Sequence, residues 1–374
     1  MADQSQSTGL NQNLLKKAWE LFDIYDRTAI ATQKRFLNFR IAILVVGVVS
    51  TVLVVIKSQY PLNNSDNQVV NILGMGLNGL VILAPITVSV LLAASVKLDR
   101  GMNWVLLRAS AEILKKQIYQ YRVGFYDPKD ADKFLAMEIQ VVGDRLMKTQ
   151  VNRSGLVIDI NKSKNDNLLS LLFGLLTQKI LSPIQKSVKA TLKWLREKLD
   201  GKSEKPQNYV REDLFSPLTV DQYLEYRLID QLSWYRRKTV KLDSQWQRLQ
   251  WSIYVWGGLG TFLAAIKAEI WIAITNAIAT AIASFLDFKQ LDTTLMCYNQ
   301  AACNLENLLC WWHALTDEAR ANPDNIKKLV ENTEKVIQSE TSSWVEEMRE
   351  ALSELYKENE KNDDSENNSS NESN

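Results

Sequence analysis

The sequence predicts an all-α integral membrane protein: two tandem two-span hairpins, four transmembrane helices in all, with long helical extensions on one side of the bilayer. Three observations predict it. Four apolar runs lack any charge, the two halves of the chain register with each other at a fixed offset, and basic residues crowd one side of each hairpin.

The 44 basic and 43 acidic residues nearly cancel, which leaves no global field of the kind that marks a nucleic-acid partner. Their placement is uneven. Val69 to Val96 runs for 28 residues without a charge, and at ~1.5 Å per residue that is ~42 Å, longer than a hydrocarbon core. Ile41 to Ile56 is a second such run, pinned between Arg40 and Lys57. Leu249 to Ile266 and Ile270 to Leu286 are two more, separated by "KAE". The expected spans are thus about 41–57, 69–96, 249–266 and 270–286.

A shift of 210 residues superposes the halves without a gap: Tyr25 falls on Tyr235, Arg27 on Arg237, Gly47 on Gly257, Thr51 on Thr261 and Lys57 on Lys267. This pattern predicts a duplicated unit. Residues 1–150 hold the first repeat, 151–215 a connector, 216–356 the second repeat and 357–374 a disordered tail without apolar residues. Lys16, Lys17, Arg27, Lys34, Arg35 and Arg40 precede the first span, whereas the loop "KSQYPLNNSDNQ" holds only Lys57. Arg236, Arg237, Lys238, Lys241 and Arg248 precede the third. Both hairpin tips are therefore expected outside and both termini in the cytoplasm, as a multi-pass protein of the inner membrane. The first 35 residues are polar and charged, so no cleavable signal peptide is expected.

The extensions read as helices. Val105, Leu106, Ala109, Ile113 and Tyr121 give residues 102–122 a helical apolar pattern, and after "FYDPKDADKF" a second helix is expected to about Thr149. Within residues 168–199 an apolar start gives way, near Pro183, to lysines and arginines beside Ile184, Val188, Leu192 and Leu195. Residues 179–198 either lie on the anionic inner leaflet or pack on neighbouring helices. From 325 to 356 a stripe of Ile326, Leu329, Val330, Val336, Ile337, Trp344, Met348, Leu352 and Leu355 either pairs with another subunit or folds back on its own hairpin stem.

Chemistry finds little to stand on. Gly74, Gly76 and Gly79 spell G-x-G-x-x-G, with Asp99 twenty residues on. The following stretch is apolar all round and contains Pro85, which excludes a Rossmann helix with its one charged face. Cys303, Cys310 and the single histidine, His313, share a helical stripe. Cys303 and Cys310 stand ~10.5 Å apart along it, too far to share a zinc ion. Neither a metal, a cofactor nor a catalytic constellation is expected, and the chain is not expected to be an enzyme.

"YLEYRLIDQLSWYRRKT" (223–239), "YNQAACNLENLLCWWHAL" (298–315) and "LVENTEKVIQSETSSWVEEMREAL" (329–352) resemble the bacterial SLATT family. "AWELFDIYDRTAIATQKRF" and "NWVLLRASAEILKKQIYQYRVGFYD" look like the same unit in the first half. The resemblance implies a two-span membrane effector, proposed to form pores in nucleotide-signalled conflict systems beside a separate or fused sensor. No sensor domain is legible in this chain, and the family supplies no catalytic residues.

Two functions follow as expectations, an oligomeric membrane pore or ion channel, or a membrane-anchored scaffold whose helical extensions recruit partners. The candidate pore-lining residues are Asn276, Thr280, Ser284 and Asp287, which share one side of the fourth span with Ala273 and Ala277. Trp271, Ile274, Ile278, Ile282 and Phe285 take the other side. That small polar side either packs on the glycines of the third span or lines water. Gly74, Gly76, Gly79, Gly257, Gly260 and Ala264 are the candidate helix-packing positions, and a closed homo-oligomer is the expected assembly.

Overall fold

The computed structural model describes residues 10–59, 68–97, 100–148 and 213–371, and every regular element among them is helical. The basic segment 179–198 lies outside the described residues. Val69 to Leu73, β-like in sequence, are helical, so the strand that a dinucleotide fingerprint needs is missing at Gly74.

Helix α1 (Gln12–Gln59) is continuous for 48 residues, ~72 Å at the usual rise. Asn11 starts it: its Oδ1 accepts from Leu14 N–H (3.2 Å), its own N–H donates to the Tyr121 hydroxyl (2.9 Å), and its amide reaches Asp132 (3.2 Å). Leu15, Ala18, Tyr25 and Ala29 are buried, and with partly buried Phe22 they recur at alternating steps of three and four residues. That spacing makes a seam of the coiled-coil kind. The seam packs on α3 (Arg100–Arg122) and α4 (Ala131–Met147), through Leu107, Ala111, Leu114, Ile118, Leu135 and Val142. Beyond Arg40 the same helix turns apolar and mostly half-buried, with Val49 and Val54 exposed, and α2 (Gln68–Lys97) packs beside it.

The second half repeats this order of elements. Arg122, 1% exposed, donates to the carbonyls of Asp213 and Ser216 and so clips the re-entering chain to the end of α3. Thr219 and Gln222 form a reciprocal capping box that opens a rod of three pieces. These are α5 (Val220–Tyr223), a π-helical turn (Leu224–Ile229) and α6 (Asp230–Ala265). The rod ends in a Schellman motif, with Ala268 N–H on the Leu263 carbonyl and Lys267 N–H on that of Ala264, and Lys267 takes the left-handed φ of 60°. Helix α7 (Glu269–Lys289) returns to a second left-handed residue, Gln290, before α8 (Leu291–Ala314). The short α9 (Asp317–Arg320) leads into α10 (Pro323–Asn371), where Asn322 caps Asp324 N–H and proline takes the first helical position.

One finding decides between the sequence alternatives and three revise the expectations. The stripe of α10 folds back on its own chain: Leu329 joins Leu228, Leu232 and Leu305, Val330 joins Tyr119 and Tyr223, and Met348 joins Phe36, Trp104 and Phe288. The helix also continues to Asn371, through residues 357–371 that were expected to be disordered. Two stretches among the described residues, Gln12–Gln59 and Glu269–Ala314, are long and apolar enough to cross a membrane, against the four spans expected. Helix α2 offers a shorter apolar segment, Asn78–Leu91, and the end of α6 is diluted by Gln250, Ser252, Gly257, Gly258 and Thr261. Among the expected packing positions whose surroundings are described, Gly260 meets a neighbouring helix, whereas space is open where a Cβ would stand at Gly76, Gly79 and Gly257, and Ala264 is exposed. Gly74 lies in α2.

Candidate functional site

Where the two halves meet, charge is buried. Tyr223 and Arg227 sit one turn apart, among the apolar residues Leu224 and Leu228 of the rod. Glu334 interrupts the apolar stripe of α10 between Val330 and Ile337. The three converge. Arg227 grips Glu334 with two parallel bonds, Nε to Oε1 at 2.9 Å and Nη2 to Oε2 at 2.7 Å, and the Tyr223 hydroxyl donates to Oε1 at 3.0 Å. Both charged side chains are 1% exposed. The Tyr119 ring of α3 covers the guanidinium at 5.1 Å, so the pair holds the rod to α10 under a lid from the first half. Glu334 outweighs the burial that would lower the Arg227 pKa, and raises it.

A second polar layer lies about two turns along the rod. Tyr235 donates to Glu340 Oε2 at 3.0 Å, joining α6 to α10, and Thr341 donates to the same oxygen at 3.4 Å. On α3, Arg108 pairs with Glu112 at 2.9 Å and with Asp26 of α1. Trp104, Arg108, Glu112, Trp234, Tyr298 and Glu340 contribute to the wall of a cavity of about 450 Å³ between the two halves. Burial, reinforced by the negative charge of Glu112, pushes the Glu340 carboxyl up to about 7. Burial would raise Glu112 as well, but Arg108, Lys115 and Arg227 together hold it below the usual range. One of two neighbouring carboxyls therefore stays charged while the other exchanges its proton near neutrality.

The sequence motifs contain these residues, yet reading them for resemblance assigned them no role. The signal that finds them is a charge at a core position: Arg227 between leucines of the rod, and Glu334 in the buried face of α10.

The pore-lining candidates share one surface. On α7, Ala273, Asn276, Thr280, Ser284 and Asp287 are all exposed. Ile278, Ile282 and Phe285 turn inward, toward α1 and α6. Thr275, not the stripe itself, fills the space beside Gly260: its Oγ1 lies 3.0 Å from where a Gly260 Cβ would stand, and Asn276 Oδ1 lies 3.6 Å away at the edge of that contact. The Asn276 amide makes no hydrogen bond among the described residues. Within one chain the small polar side is thus left uncovered.

Two outcomes are expected at the buried seam. Arg227→Ala or Glu334→Ala strands a buried charge and lowers stability by roughly 3–5 kcal/mol, whereas Arg227→Met with Glu334→Leu recovers most of it; thermal melting of the detergent-purified chain checks this. The second concerns pH. The raised Glu340 pKa favours the folded state, and this contribution is complete below the ordinary value near 4.5 and is lost as pH rises through about 7. The loss is on the order of 2–3 kcal/mol, and Glu340→Gln flattens this part of the melting-temperature profile.

Residues 223–344 match the family model of the SMODS and SLOG-associating 2TM effector domain 1. Residues 20–133 match a different one, described as a protein of unknown function (DUF4231). The halves therefore fall to two family models, and the single duplicated unit expected from the 210-residue register is not what they report. No curated protein and no solved structure matches the chain. The seam joins the two matched regions: Tyr119 belongs to the first, Arg227 and Glu334 to the second. The second half thus carries the likeness to a two-span membrane effector domain.

Proposed function

We propose that the chain is a membrane effector that crosses the bilayer four times, assembles as a closed homo-oligomer and forms an ion-conducting pore with α7 toward its axis. One observation carries the reading, the reversed amphipathicity of α7. A helix facing lipid gains by turning Ile and Phe outward, by a few tenths of a kcal/mol each near the bilayer centre. Here Ile278, Ile282 and Phe285 face the chain's own helices, while Asn276, Thr280 and Ser284 face away. An unpaired amide in hydrocarbon costs several kcal/mol, so this surface calls for water or another subunit. An oligomer supplies both.

Connectivity supports four crossings. The first part of α1 packs on α3, yet α1 continues through an apolar stretch, so α2 has to bring the chain back. Likewise α6 packs on α8 through its first turns, and α7 returns from the far end of α6. Exposed Val54, Ile86, Val90, Tyr254, Val255 and Phe262 give all of α1, α2 and α6 apolar surface for lipid.

The excess of Lys and Arg before the first and third spans supports an orientation with both termini in the cytoplasm of a cell with an inner membrane. Lys267, exposed at the α6–α7 turn, then lies outside. With Cys297, Cys303 and Cys310 replaced, Lys267→Cys is expected to react with an impermeant maleimide on intact cells; labelling only after lysis reverses the orientation. Ion flux into proteoliposomes tests the pore. The native chain, with any activator it needs, is expected to pass cations; Thr280→Trp cuts the flux at least about tenfold by closing a narrow lumen, and Asp287→Lys lowers cation preference by reversing the charge ring at the mouth. Folded, assembled protein that passes nothing leaves the scaffold reading in its place.

A further inference from the structure

At the end of the spans nearest the helical domain, α1, α6 and α7 leave a groove of about 600 Å³ between them. Its walls are hydrocarbon: Ile41, Val45 and Val48 from α1, and Ile278, Ile282 and Phe285 from α7. From Ile41 to Val49, another lining residue, the groove runs ~12 Å along the helix, into the depth of a bilayer leaflet.

One rim is different. Gln245, Arg248 and Ser252 of α6 line it, and the first two are three residues apart on one helix face. Gln245 is 8% exposed, and its Nε2 is buried without an acceptor among the described residues. The Arg248 Nε donates to the Ser244 carbonyl at 3.0 Å, and among the described residues the two terminal nitrogens of this exposed guanidinium take no acceptor and no carboxylate. A buried amide donor and an uncommitted guanidinium thus converge on the mouth of an apolar slot. Arg248 directly precedes the uncharged run 249–266, which puts it at headgroup level.

We propose that this groove binds one membrane phospholipid, with an acyl chain along Ile41–Val48 and Ile278–Phe285 and the phosphodiester oxygens accepting from Arg248 and Gln245. The chemistry matches at both ends. Guanidinium and phosphate form paired, charge-assisted bonds, the amide gains its missing acceptor, and the volume is that of an ordinary ligand cleft. An oxygen-free hydrocarbon would leave Gln245 unsatisfied, and inorganic phosphate would leave the apolar walls to water. The proposal does not depend on conduction, since a scaffold with the same three helices has the same groove.

Native mass spectrometry of the delipidated full chain in mild detergent tests it, with phosphatidylglycerol and a diacylglycerol of the same chains as probes. One phosphatidylglycerol per chain is expected to bind saturably, with diacylglycerol at least about tenfold weaker. Arg248→Ala with Gln245→Leu is expected to erase that difference. Ala281→Trp, which fills the groove from α7, is expected to abolish binding of both lipids while melting temperature and oligomer mass stay as in the native chain. Equal retention by native protein and both variants would mean only annular lipid and overturns the site. Displacement by inorganic phosphate would make the rim a phosphate site, and dissociation of the oligomer by the Arg248 and Gln245 substitutions would make it a subunit contact; either result overturns the lipid. Should Ala281→Trp fail to fold, the rim variant and the diacylglycerol comparison decide alone.

Discussion

The buried pair of Arg227 and Glu334 is the constraint around which the helical domain is arranged. Two charges taken out of water gain from one another only if their geometry is near ideal, and a bidentate fork tolerates little sliding. A shift of α10 by one residue, ~1.5 Å along the axis and 100° around it, would carry Glu334 out of reach. With that register set, Val330 meets Tyr119 and Tyr223, Glu340 meets Tyr235, and Met348 arrives beside Phe36 and Phe288 where the membrane helices begin. Leucines alone would not choose among these registers, because their contacts are interchangeable along a stripe. The pair is therefore best understood as a specifier of alignment more than as a source of net stability.

Much of this organisation was legible beforehand. Helices α3 and α4 end within a few residues of their expected bounds, because apolar spacing marked them and "FYDPKDADKF" broke them. Legibility failed where an answer depended on which surfaces meet. The stripe of α10 reads identically whether it covers a neighbour or its own stem, and only the partners of Leu329 and Met348 decide. Glycine spacing marked close approach at several positions, but a glycine face is permissive, and among the glycines described α7 approaches at Gly260. Lys267 and Gln290 show a third kind of failure. Helix ends of this sort favour glycine, yet here backbone bonds to Ala264 and Leu286 hold non-glycine residues in the left-handed region.

The membrane helices pose the opposite problem from the domain. In the domain, apolar residues inside and charges outside mean ordinary solvation in water, with Glu334 and Arg227 as the exceptions that specify. In α7 the same inside-apolar arrangement is anomalous, because hydrocarbon outside offers Asn276, Thr280 and Ser284 nothing. A single chain can resolve the conflict only by burying that side, and it buries Phe285 and turns half-buried Ile282 toward its own helices instead. That uncovered polar side is what the proposed assembly would cover.

Continuity of the helices sets how the seam and the stripe are connected. Helix α1 passes from the domain into its apolar stretch without a break, as does the rod that ends in α6, so rotation at one end of either is rotation at the other. Helix α7 is different, because Gln290 separates it from α8, and a left-handed residue held by two helix-end bonds is a joint, not a shaft. Phe288 sits just ahead of that joint, packed against Phe36 at 5.3 Å and in one cluster with Trp104 and Met348. The stripe on α7 is thus tied to the domain by side-chain packing at its end, whereas its neighbours are tied by continuous backbone. Of α1, α6 and α7, it is α7 that can turn without turning the domain, and it is the one that carries the polar side.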